Sequence, residues 1–253
     1  MKKILMVATG GTIASTQAGS GLAPTLTGHE LAAMVPGIDG LCELDVCQPM
    51  NIDSTNMRPR NWLAVRDTIV DAYDDYDGFV VLHGTDTMAY TAAALSYLIQ
   101  GSPKPIVLTG SQQPMGNPFT DAQLNPAPLP AAPALPAQND ARPADARPRL
   151  FDTLDERVIV IRLTPELGPS VLDLLARDYD AVVLETFGIG GIPDYDGGWH
   201  AAISRWVESG RIVVVTTQVP EEGLDLGVYE VGRAYANMGG VLAAGDMTVE
   251  AIV

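Results

Sequence analysis

Three short stretches of this sequence set hydroxyls and a carboxylate where chemistry can use them. "MVATGGTIAS" places Thr12 directly after Gly10-Gly11, and "GFVVLHGTDTM" places Thr85 and Asp86 directly after Gly84. "NIDSTNM" adds Asp53, Ser54, Thr55 and Asn56. A glycine pair lets the backbone turn sharply and brings main-chain N–H groups close to a ligand. Asp86 can hold an ammonium or orient an amine, and Thr85 can bond a polar group or a water. Each stretch also has a purely structural reading. Gly-Gly-Thr serves equally as a phosphate cradle or a plain turn, Thr85 or Asp86 as a helix N-cap, and Asp53–Asn56 as a turn. His83 reads as a packing or hydrogen-bonding residue rather than a general base. No G-x-G-x-x-G or Walker pattern follows, so nucleotide binding has no support.

The elements that must position these residues alternate in type. Near-continuous apolar runs at "KILMVAT", "GFVVLH", "PIVLTG", "RVIVIRL", "AVVLETF" and "IVVVTTQ" predict strands covered on both faces. Helix-period segments lie between them: "TGHELAAMV", "RNWLAVRDTIVDAYD", "DTMAYTAAALSYLI", "GPSVLDLLARD", "GGWHAAISRWVESG" and "GVYEVGRAYANM". The alternation predicts a doubly wound, mainly parallel α/β sheet, whose ligands bind beyond the carboxyl ends of its strands. Thr12, Thr85 and Asp86 all fall at such ends. Residues 126–148 break the pattern with seven prolines and eight alanines. Proline fixes φ and removes donors, so this stretch predicts a semi-rigid linker.

Bulk composition narrows the partners. At 253 residues and 47% hydrophobic, the chain can bury a sizeable core. Its net charge of -16 repels phosphate backbones and argues against nucleic acid. Cys42 and Cys47 are the only cysteines, with no metal-ligand spacing to the histidines, which favours a reducing compartment. "MKK" is followed by an apolar stretch too short for a signal peptide, and no stretch approaches a membrane span. A cytoplasmic location is expected, with no membrane association.

Taken together, "ATGGTIAS", "IDSTNM", "HGTDTMAYTAAALS", "LTGSQQPMGNPFTDAQLN" and "AGDMTVEA" resemble the bacterial L-asparaginases, most of all the cytoplasmic type. The likeness spans residues 1–125 and about 151–253. It implies an N-terminal catalytic domain over 1–125, the Pro/Ala-rich linker over 126–150, and a smaller α/β C-terminal domain over 151–253. It further implies hydrolysis of asparagine to aspartate and ammonia through a threonine acyl-enzyme, with no cofactor or metal. Homodimers or homotetramers are implied, each site completed by a neighbour's smaller domain. Matched by motif, Thr12 takes the place of the nucleophile and Thr85 that of the second threonine, which positions or activates water. Asp86 matches the residue that binds the substrate α-ammonium and contacts a catalytic lysine. Ser54 matches a ligand of the α-carboxylate, with Thr55 beside it.

The sequence departs from that family pattern in three places. Leu22 stands where the family carries a tyrosine on the lid after the first motif. The stretch that should supply the lysine is absent: "TDAQLN" runs directly into the linker, and Lys2, Lys3 and Lys104 all sit at the wrong strand ends. Asp86 should then be an unpaired charge in a partly desolvated site. Arg142, Arg147 or Arg149 could bring charge but not an exchangeable proton near neutral pH. The sequence ends in "TVEAIV" as a helix with Thr248 at its N-cap begins, and the missing portions should expose apolar surface. Val219 occupies the place of an allosteric cysteine after "TTQ", which predicts no such control.

These features support an asparaginase-type amidohydrolase impaired by the missing lysine. The alternative is a non-catalytic asparagine- or aspartate-binding remnant, or an incomplete gene product. A third reading, the amidase subunit of a tRNA-dependent amidotransferase, is disfavoured by the acidity and by the absence of an appended RNA-contacting domain.

Overall fold

In a computed structural model the chain divides into two compact units, Met1–Leu154 and Asp155–Val253. The structure describes all residues except 19–20, 36, 123–146, 194–197, 220, 222 and 229. Most of the Pro/Ala-rich stretch, with Arg142, therefore lies outside the described residues.

The first unit contains β1 (Lys3–Ala8), β2 (Ser15–Ala18), β3 (Gly21–Pro24), α1 (Gly28–Ala33), β4 (Glu43–Cys47) and α2 (Pro59–Asp71). It continues with β5 (Gly78–Leu82), α3 (Met88–Leu98), β6 (Ile99–Gln100), β7 (Ile106–Thr109) and β8 (Arg149–Leu150). Its main sheet runs β4-β1-β5-β7, parallel throughout. Two starts are set by local chemistry. At α1, Thr27 Oγ1 accepts from the Glu30 N–H at 3.3 Å while Glu30 accepts from the Thr27 N–H at 2.7 Å, a reciprocal capping box. At α2, Pro59 occupies the first turn, where a missing N–H costs nothing.

Side-chain alternation divides each central strand between two layers. Leu5, Val7, Phe79 and Val81 pack with Val65 and Ile69 of α2 and Leu95 and Leu98 of α3. Met6 and Leu82 face the opposite way, against Leu31 of α1, Ile13 and Met115. The connection leaving β1 thus crosses one face and that leaving β5 crosses the other, which makes the β1–β5 boundary the switch point of the sheet. The α1 layer is thin. It leaves a partly open apolar pocket of about 440 Å³ lined by Ile4, Met6, Leu31, Val80 and Val107, and Val107 is 51% exposed.

The second unit repeats the scheme with β9 (Val158–Arg162), α4 (Ser170–Leu175), β10 (Ala181–Thr186), α5 (Gly198–Glu208), β11 (Ile212–Thr217), α6 (Glu230–Ala236), β12 (Val241–Ala243) and α7 (Val249–Ile252). The parallel order is β12-β11-β10-β9, over a core holding Trp199, Ile203 and Trp206 of α5. The chain is therefore α/β with a parallel sheet in each unit.

Every strand predicted from an apolar run is present, but the sheet is wider than those runs suggest. β4 alternates polar and apolar residues and is half-buried, an edge strand that no apolar run announces. The segment expected to act as a lid pairs as a hairpin, with Leu22 opposite Gln17 in its register. Arg149–Leu150, the end of the expected linker, pair with β6 in the first unit. Thr248 does sit at the N-cap of α7, although its side chain makes no capping bond.

The layer built on α2 and α3 should carry much of the first unit's stability. Phe79 is fully buried and stacks on Tyr73 with ring centroids 5.8 Å apart. Phe79→Ala is expected to cost about 3–5 kcal/mol, read as a lowered denaturant midpoint.

Candidate functional site

The candidate residues stand where β1 and β5 end. After Ala8, the Ile52 N–H donates to the Thr9 carbonyl and the Gly11 N–H donates to the Ile52 carbonyl, both at 2.9 Å. This ties the segment before Ser54 to the end of β1. Gly11 has φ +80°, and a Cβ there would overlap Cα of Gly84. A Cβ on Gly84 would in turn lie 2.5 Å from Ser54 Oγ. Two backbones and a serine therefore meet at a spacing only glycine permits. Thr12 follows one of these glycines and Thr85 the other, so the structure brings the two segments together.

Short 3-10 turns continue from both glycines, Thr12–Ala14 and Thr85–Thr87. Thr12 and Thr85 are both partly buried. The Gly11 carbonyl accepts from the Ala14 N–H at 3.1 Å and from Ser15 Oγ at 3.0 Å, which locks the first turn. The N-cap reading of Thr85 and Asp86 does not hold. Thr87 occupies that position for α3, and its hydroxyl donates to the Ser54 carbonyl at 2.8 Å. Asp86 instead accepts from Ser54 Oγ at 3.4 Å, with Ser54 only 4% exposed. The turn reading does hold for Asp53, whose carboxylate accepts from the Thr55 N–H at 2.9 Å and the Thr55 hydroxyl at 2.8 Å. Thr55 is thus beside the site but exposed, its hydroxyl turned to Asp53.

One expectation needs correction: Asp86 is exposed rather than desolvated. Water can solvate its charge without a partner cation. Among the described residues no ion pair involves it, and the lysines are committed elsewhere. Lys2 pairs with Asp77 at 2.7 Å and Lys3 with Asp45 at 3.2 Å, both where strands begin. Lys104 donates to the carbonyls of Tyr73 and, at 2.7 Å, Tyr76. Arg147 pairs with Asp74, and Arg149 lies over the Phe151 ring.

His83, read from sequence as a packing or hydrogen-bonding residue, is completely buried. Both ring nitrogens are bonded, Nδ1 to the Gly84 carbonyl at 2.6 Å and Nε2 to Thr91 Oγ1 at 2.8 Å. Loss of hydration lowers its pKa from the ordinary 6.5, and the Gly84 carbonyl opposes this only in part. No group of three or more His, Cys, Asp or Glu able to hold a metal occurs among the described residues, and no helix among them is long and apolar enough to cross a membrane.

Known proteins resemble this chain along its length. A family model described as "Asparaginase, N-terminal" matches residues 3–140, and "Glutaminase/Asparaginase C-terminal domain" matches residues 157–253. L-asparaginase of Thermococcus kodakarensis is 36% identical over 298 residues, covering 98% of this chain and 90% of the relative. For L-asparaginase 1 of Escherichia coli K12 the identity is 30% over 306 residues, covering 99% and 89%. A glutamyl-tRNA(Gln) amidotransferase subunit of Methanopyrus kandleri is 28% identical over 321 residues, covering 99% and 68%. The solved thermostable L-asparaginase from Thermococcus kodakarensis matches with a TM-score of 0.82 at 34% identity, over 98% of this chain and 90% of that one.

Two outcomes are expected of this geometry. Gly11→Ala adds a methyl where φ is left-handed and backbone blocks it, so it should destabilise the protein by at least about 2 kcal/mol in chemical denaturation. His83 should make stability depend on pH. Its folded pKa lies below its unfolded one, so its contribution is complete above about pH 6.5 and is lost as pH falls through the folded value. The slope approaches about 1.4 kcal/mol per pH unit. Denaturant midpoints between pH 7.5 and 5.5 should show that decline, and His83→Asn should flatten it.

Proposed function

We propose, from the premise that this chain belongs to the asparaginase family and is an asparaginase-type amidohydrolase, that it hydrolyses L-asparagine to L-aspartate and ammonia. The observation that carries this reading is the contact between Gly11 and Gly84, which sets the segment bearing Thr12 beside the one bearing Thr85 and Asp86, with Ser54 against Gly84 and Asp86.

In this reading the Thr12 hydroxyl attacks the side-chain amide carbon and its proton passes to the departing nitrogen. The C–N bond breaks, ammonia leaves, and an ester to Thr12 remains. A water held at Thr85 then attacks the ester carbon, returning a proton to Thr12 and releasing aspartate. The Gly11 N–H is already bonded to Ile52, so the oxyanion's main-chain donors come from the residues that follow it. The exposed Asp86 carboxylate, with no cation on it among the described residues, is free to take the substrate α-ammonium. Ser54 takes the α-carboxylate, replacing its long bond to Asp86. We further propose that the catalytic domain lies within Met1–Leu154 and the smaller domain within Asp155–Val253, that copies of the chain associate as dimers or tetramers, and that it works in the cytoplasm.

A second reading, a binding protein that does not turn over, is favoured by the positions of the lysines. With no lysine near Asp86, proton transfer loses help worth about 10²–10⁴-fold, so turnover should be slow. Ammonia release from asparagine is expected above a Thr12→Ala control, which should fall to background. Equal release from the two proteins, with calorimetric binding of aspartate retained, would establish the binding reading instead.

A further inference from the structure

Beneath the two glycines runs a chain of polar groups that the proposed chemistry does not use. Trp62 on α2 and Thr91 on α3 lie on neighbouring helices, and the Trp62 indole N–H donates to Thr91 Oγ1 at 2.9 Å. Thr91 Oγ1 is 2.8 Å from His83 Nε2, and His83 Nδ1 is 2.6 Å from the Gly84 carbonyl oxygen. His83 and Thr91 are both completely buried.

The direction of each bond follows from what each group can do. An indole N–H only donates, and a carbonyl oxygen only accepts. The histidine proton must therefore sit on Nδ1, facing Gly84. Nε2 of the neutral ring is then a bare lone pair, so the Thr91 hydroxyl donates to it while accepting from Trp62. Every polar atom is satisfied and all bonds run one way, from α2 to the end of β5. Burial supports the same state, since it disfavours a charged ring.

We propose that His83 is a positioning residue: locked as the Nδ1–H tautomer by Trp62 and Thr91, it fixes the Gly84 carbonyl and hence the peptide that carries Thr85. The peptide is planar, so holding the Gly84 C=O towards the ring points the Thr85 N–H the opposite way. Gly84 itself has little room to move, packed between Gly11 and Ser54. The bond from His83 removes the remaining freedom, rotation of that peptide plane. The mechanical origin of the site then lies in the packing of α2 on α3. This inference rests on the asparaginase reading for its kinetic consequence but not for its geometry.

Ring nitrogen signals from ¹⁵N-labelled protein, which has only three histidines to assign, should show His83 protonated on Nδ1. Thr91→Val should give a mixture of tautomers. His83→Leu removes the donor, and kcat for asparagine should fall about 10- to 100-fold with KM changed less than about threefold. His83→Asn places an amide N–H near the Nδ1 position and should recover most of the lost kcat, as a merely space-filling role would not allow. An Nε2–H tautomer in the unmodified protein overturns the proposal, as does wild-type kcat in His83→Leu or failure of His83→Asn to exceed it. If the unmodified protein releases no ammonia above Thr12→Ala, the hydrolase reading fails and the Thr85 amide signal decides the positioning. Displacement in His83→Leu with return in His83→Asn supports it, and an unmoved signal overturns it.

Discussion

The first unit is organised by one close approach, Gly11 against Gly84, at the boundary where the sheet's connections diverge to opposite faces. Neither position has room for a side chain, and the two strands can end side by side only because both lack one. Ile52 takes and gives the ladder bonds that would have continued β1, while Ser54 and Thr87 stitch the third segment to the second. The hydroxyl-bearing residues follow directly, so their placement is a consequence of backbone geometry before it is one of side-chain chemistry.

Charge is distributed along the same axis. The lysines sit where strands begin, neutralising Asp77 and Asp45 and covering the carbonyls of Tyr73 and Tyr76. The opposite ends of the strands carry Asp86 without a cation among the described residues. A carboxylate in water at a strand end tolerates this arrangement, because solvent supplies what a buried site would have to obtain from a neighbouring base. It also leaves Asp86 with no lysine beside it, which is the tension between the family's chemistry and this chain.

Much of this was legible in the sequence, and the exceptions have physical causes. The parallel strands showed because burial on both faces demands continuous apolar runs, whereas β4, on the edge, needs only half of one and hides in "ELDVC". The β2–β3 hairpin hides for a similar reason, since "STQA" and "GLAP" bear no continuous apolar signature. Thr12, Ser54, Thr85 and Asp86 stood out through motif spacing, and the fold brings their segments together. The exposure of Asp86 was not legible, because it depends on what the fold packs around a short turn. Nor were the partners of His83: Trp62 and Thr91 are 29 positions apart, and only the docking of two helices makes them neighbours.

The two layers of the first unit are unequal, and the two threonines hang from different ones. The turn at Thr85 leads straight into α3, which is embedded in the well-filled layer with α2. The turn at Thr12 is held by Ile13 and Ala14 in the thinner layer, beside the apolar pocket. Transient opening of the molecule should therefore release the Thr12 arm first and keep the Thr85 arm in place, since local unfolding follows the layer with fewer buried contacts.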